Sequence, residues 1–168
     1  MSRSSLPAGS RCGSGRFRVL WRPCCSTLLS ASLLRDNRTC RGCSGNFDSQ
    51  IILYREILDI FFTIHDPTTL NRQGYDVGAS YRSVIFYHTP EQQIAASAAI
   101  AELDDAQIWN SPVVTEVTPL STFFPAEDYH QQFYLKDKYQ PYCQTVISPK
   151  LAKFRKEYLG KLKPVVSM

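Results

Sequence analysis

With 168 residues, 43% of them apolar, and a net charge of +4, the chain has the size and composition of one globular domain able to bury a core. Its positive balance is local: residues 1–43 hold eight arginines against one acid, Asp36, which leaves the rest net acidic and excludes a nucleic-acid-binding body. Apolar runs fall short of the roughly 18 residues of a membrane span, and five of six cysteines (Cys12, Cys24, Cys25, Cys40, Cys43) crowd the N-terminus with only Cys143 beyond, which argues against a disulfide framework and for a reduced, intracellular protein.

Residues 1–35 contain no acid, many serines and arginines, and no continuous secretory-type apolar stretch. Two readings fit: an organellar transit peptide, plastid or mitochondrial, or unrelated coding sequence joined to a domain. Weak periodicity and Gly, Ser and Pro breakers make disorder the expectation over residues 1–46, with order beginning near Phe47.

From 53 to 65, Ile57, Leu58, Ile60, Phe61, Phe62 and Ile64 recur at helical spacing with Arg55, Glu56 and Asp59 on the polar side. His65-Asp66-Pro67 ends that helix, since proline restricts the residue before it. A polar loop with Gly74 and Gly78 follows over 66–81, then a β-rich strand over 83–87. Thr89-Pro90 opens a second, alanine-rich helix through about Leu103, with threonine suited to the cap and proline to the first turn. Alternation at 113–117 predicts another strand, and residues 126–136 and 149–162 are helical candidates. Helices and strands mixed without a βαβα rhythm imply an α+β two-layer sandwich.

The string His65-Asp66-Pro67-Thr68-Thr69-Leu70-Asn71-Arg72-Gln73-Gly74, after a helix with two phenylalanines, resembles the signature of peptide methionine sulfoxide reductases of the A type. Similar matches follow at Tyr81-Arg82-Ser83, Ile85-Phe86-Tyr87, Pro112 to Pro119 with Glu116, Ala126-Glu127, His130-Gln131 and Pro141-Tyr142-Cys143. The resemblance spans residues 47–158 and implies a ferredoxin-like sandwich, incomplete at its N-terminus. It divides the chain into a segment, 1–46, and a truncated reductase-like domain, 47–168. Departures are Tyr75 for asparagine, Ala79-Ser80 for Thr-Gln, and Leu53 for a serine that would cap the first helix. Neither the Gly-Cys-Phe-Trp segment that carries the family's nucleophile nor its Gly-His-Ala-Glu segment occurs.

The function implied is that of a peptide-methionine (S)-S-oxide reductase, which repairs oxidised proteins. A thiolate attacks the sulfoxide sulfur, the cysteine becomes sulfenic acid, and a second thiol resolves it as a disulfide. By resemblance, Asp76 and Tyr81 contact the sulfoxide oxygen directly or through water, Tyr142 neighbours the substrate, and Cys143 is the resolving candidate. No cofactor or metal is expected to bind; thioredoxin or dithiothreitol would be the external reductant, oxidised methionine in proteins or peptides the substrate, and the chain a monomer. The alternative is a catalytically inactive isoform acting as a binding module. Arg38, before Cys40-x-x-Cys43, and Arg41, within it, would lower a thiol pKa there, making this pair the candidate for a relocated nucleophile. His65 is expected to bind the loop after it, and Glu127 and His130, three apart on a helix, to form a structural pair.

Overall fold

Alternation of polar and apolar residues in Gly-Arg-Phe-Arg-Val suits a strand, and in the computed structural model, which describes residues 15–19, 29–30, 40–158 and 160, this stretch is β1, Gly15–Val19. β2, Leu29–Ser30, is short, and β3, Gly42–Phe47, pairs antiparallel with β1 from Val19 opposite Cys43 to Gly15 opposite Phe47. These three described strands all lie at or before Phe47, near which the sequence reading expects order to begin. The two glycines and the asparagine of β3 carry weak strand propensity, so cross-strand pairing and not local preference forms this strand. Whether the rest of residues 1–39 is transit-like lies outside the described residues.

α1, Tyr54–Ile64, forms as its periodicity predicts and buries Ile57, Leu58, Phe61, Phe62 and Ile64. Leu53 stands at its N-cap without a capping oxygen, while the Glu56 carboxylate accepts from the Leu53 N–H at 2.9 Å, giving the reciprocal half of a capping box. The expected loop over 66–81 instead contains a hairpin of β4, Arg72–Gln73, and β5, Asp76–Val77, followed by a 3-10 turn, Ala79–Tyr81. β6, Val84–Tyr87, has Val84 and Ile85 fully buried although successive residues face opposite sides, so the sheet is covered on both faces there.

α2, Pro90–Asp105, is capped by Thr89, whose Oγ1 accepts from the Gln92 N–H at 3.4 Å. It crosses over to β7, Glu116–Pro119, which lies parallel to β6. β7 begins three residues later than the alternation at 113–117 predicts. The Val113 N–H donates to the Asp104 carboxylate at 2.9 Å and the Val114 N–H to the Pro67 carbonyl at 2.9 Å, which takes both out of the ladder. The sheet order is β2-β3-β1-β6-β7, so segments from the first 47 residues supply three of its five strands.

α1 and α2 pack against each other and the sheet through Leu58, Phe61, Phe62, Ile85, Ala96 and Ala99. The small alanines let the helices approach closely, and each large buried side chain contributes about 1.5–3 kcal/mol. The architecture is α+β, as the mixed elements predict. In place of the helix expected over 126–136 only α3, Phe133–Lys136, forms, because Gln132 adopts a left-handed conformation, φ +53°, just before it. A π-helical turn, Cys143–Ile147, leads into α4, Ser148–Tyr158, which packs on α1. The remainder of the helix expected to 162 lies largely outside the described residues. No helix among the described residues is long and apolar enough to cross a membrane.

Candidate functional site

Asp66 anchors the site region. Its Oδ1 accepts from the Thr68 N–H at 2.9 Å and the Thr68 hydroxyl at 2.7 Å, an Asx-type turn that starts the loop. The Gln73 amide then grips both backbone groups of Asp66, donating to its carbonyl at 3.0 Å and accepting from its N–H at 3.2 Å. The β4–β5 hairpin is thereby tied to the end of α1. Its two-residue turn is Gly74-Tyr75, and Gly74 at φ +61° supplies the conformation such a turn requires. Tyr75, which replaces the family's asparagine, points into solvent, 94% exposed.

This hairpin sets Asp76 beside Tyr142. The Tyr142 phenol donates to Asp76 Oδ2 at 3.2 Å, joining two residues 66 apart in sequence at a partly buried position. Tyr81 ends the 3-10 turn that packs against β4, and its N–H donates to the Gly78 carbonyl at 2.9 Å. Arg82 supports the same turn, donating from Nη1 to the Ala79 carbonyl at 2.9 Å and from Nε to the Glu116 carboxylate at 3.2 Å. Asp76, Tyr81 and Tyr142 thus occupy the hairpin, the turn after it and the C-terminal segment bonded to it. Cys143 differs: its side chain has no exposed surface, and burial pushes its thiol up.

His65 does not bind the loop after it. Its Nε2 lies 2.7 Å from the Ser83 hydroxyl, which lies 2.7 Å from the Thr115 hydroxyl, a buried chain joining the end of α1 to the starts of β6 and β7. Burial lowers the His65 pKa to about 3, with the Phe61 carbonyl opposing that shift in part; the imidazole is neutral and structural. Glu127 and His130 do not share a helix; the His130 N–H donates to the Glu127 carbonyl at 2.9 Å within a turn.

The expectation of an activated thiol in Cys40-x-x-Cys43 is also corrected. Burial pushes Cys40 up to about 12; the nearby Arg82 charge opposes this and Glu116 reinforces it. Arg41 points elsewhere, its guanidinium 5.3 Å from the centre of the Tyr81 ring. Cys43 is buried in β3. The contact of residues 40 and 41 with the site turn was not read from sequence, since nothing local to either segment encodes a pairing forty residues apart. Among the described residues no group of three or more His, Cys, Asp or Glu could hold a metal ion.

The sequence model of the peptide methionine sulfoxide reductase family matches residues 43–163. The peptide methionine sulfoxide reductase MsrA of Saccharolobus solfataricus is 57% identical over 117 residues, covering 70% of this chain and 65% of the relative, so the chain spans about two-thirds of that protein's length. Among solved structures, Mxr1 from Saccharomyces cerevisiae in reduced form superposes with a TM-score of 0.66 at 22% identity, over 82% of this chain and 93% of that one. The same yeast protein in complex with Trx2 superposes at 0.50 with 17% identity, over 73% and 87% of the two chains. These structural likenesses support the fold, and the sequence matches carry the family. The chain belongs to the peptide methionine sulfoxide reductase family.

Proposed function

We propose that this chain carries the sulfoxide-recognising part of a peptide-methionine (S)-S-oxide reductase, acting on oxidised methionine in proteins or peptides. The observation that carries this reading is the Tyr142–Asp76 hydrogen bond, which draws the C-terminal segment onto the hairpin where the family signature sits. A sulfoxide oxygen is a strong acceptor with partial negative charge, and the phenol donor of Tyr81 suits it; the Tyr142 phenol spends its one proton on Asp76, which fixes that carboxylate to orient a bridging water. In this scheme the oxygen passes from methionine sulfur to a thiolate as sulfenic acid. A second thiol condenses with it, releasing water, and an external dithiol, thioredoxin or dithiothreitol, reduces the resulting disulfide. The complex of a fold relative with Trx2 supports the thioredoxin assignment.

The described thiols favour a second reading, recognition without turnover. Cys40 is pushed up to about 12 and Cys143 is enclosed, so neither supplies a thiolate at neutral pH. The reductase-like unit is read as residues 47–168, and the bonds of Cys40 and Arg41 to the site turn support a contribution from the segment just before it. Among the described residues Cys40 and Cys143 form no disulfide, which supports a reducing, intracellular location, and a monomer is expected.

The test is calorimetric binding of a methionine-S-sulfoxide peptide beside a dithiothreitol-dependent reduction assay, with Cys40→Ser, Cys43→Ser and Cys143→Ser. Binding with no reduction establishes the recognition module; reduction abolished by one substitution identifies the nucleophile. Failure of the folded chain to bind the peptide would overturn both readings.

A further inference from the structure

Residues 40 and 41 precede the family match at 43–163, yet they lie on the turn that carries Tyr81. Three contacts hold them there. The Arg41 N–H donates to the Ser80 carbonyl at 3.1 Å, the Cys40 thiol reaches the Ala79 carbonyl at 3.8 Å, and the Arg41 guanidinium lies 5.3 Å from the Tyr81 ring centre. The first two fix the backbone of the turn and leave the arginine side chain over the ring.

We propose that Cys40 and Arg41 form a clip on the Ala79–Tyr81 turn, with Arg41 the positioning residue that holds the Tyr81 phenol toward the sulfoxide oxygen. This rests on the proposed role of Tyr81. A ring on a short 3-10 turn has two χ angles to order. A cation attracted to its face removes part of that freedom before the ligand arrives, so less entropy is lost on binding. The turn needs such support because Ala79 and Ser80 stand where the family carries Thr-Gln, and its preceding residue, Gly78 at φ +136°, is in a conformation that adds no stiffness. Arg82 donates to the same Ala79 carbonyl that the Cys40 thiol reaches and pairs with Glu116, so the clip and the Arg82–Glu116 pair both hold the turn.

The test uses the full chain with tyrosine labelled at Cζ with carbon-13, the Tyr81 signal being assigned with Tyr81→Phe. Arg41→Ala is expected to shift the Tyr81 resonance and to weaken binding of a methionine-S-sulfoxide peptide about threefold, the factor an accessible cation–ring contact is worth. Arg41→Lys, which keeps a cation, should recover most of both, and the thermal midpoint should change little. An unmoved Tyr81 resonance in Arg41→Ala overturns the proposal, whatever happens to affinity. Should the unaltered chain fail to bind the peptide, the functional reading falls, and the resonance still decides whether Arg41 positions Tyr81.

Discussion

Tyr142 and Asp76 touch through one oxygen pair at a partly buried position. Tyr142→Phe keeps the ring and removes the donor, leaving a carboxylate that can turn to water. Peptide affinity should fall by about fivefold, the worth of an ordinary hydrogen bond, because a carboxylate no longer held by the phenol must be ordered again on binding, while the thermal midpoint moves little; titration calorimetry and a melt on the same sample check both. His65 gives a pH-dependent prediction. Its folded pKa, about 3, lies below the ordinary value of 6.5 because burial penalises the imidazolium. Above pH 6.5 neither state holds the proton and His65 contributes no pH dependence. Between 6.5 and 3 the unfolded state binds a proton that the folded state refuses, so stability falls as pH drops, by at most ~1.4 kcal/mol per unit from this group. Urea unfolding at pH 7, 5 and 4 measures that slope, and His65→Gln should flatten it. Asp76, Tyr81, Tyr142 and Cys143 were singled out by the motif surrounding each, but the motif does not say which thiols are buried. That depends on what packs over Cys43 and Cys143, both buried, while Cys40 stays partly exposed.

At the scale of elements, α1 and α2 declare themselves because apolar spacing, a threonine cap and an N-terminal proline agree with their packing. α1 lacks only its cap. Leu53 is 59% exposed and offers no acceptor, so Leu53→Ser forfeits little burial and should stabilise the chain by about 1 kcal/mol; a higher urea midpoint at unchanged slope is the expected result. The hairpin within residues 66–81 is less legible. Its strands are two residues each, too short for alternation to register, and the Gln73–Asp66 and Thr69–Arg72 bonds that hold it involve side chains found in any polar loop. The helix expected over 126–136 fails at Gln132, where a left-handed residue interrupts an otherwise favourable composition.

For the whole molecule, β1 matters most. It lies between β3 and β6 and hydrogen-bonds to both, so removing residues 1–39 would leave the two facing each other across a missing strand. A chain starting at residue 40 should aggregate and lose cooperative unfolding, because unpaired strand edges and uncovered apolar surface outweigh a net stability of only about 5–15 kcal/mol. A sharp, reversible thermal transition in that truncated monomer would contradict this. Sequence by itself determined the family, the two long helices, the β6 strand and the α+β class, since these rest on patterns within a dozen consecutive residues and on one dense motif. Tertiary structure alone decided that β1 and β3 complete the sheet, that His65 binds Ser83, that Cys43 and Cys143 are buried, and that Arg41 reaches Tyr81. Each of these joins residues separated by 18 or more positions or depends on what surrounds a side chain, and neither local propensity nor periodicity carries information over that distance.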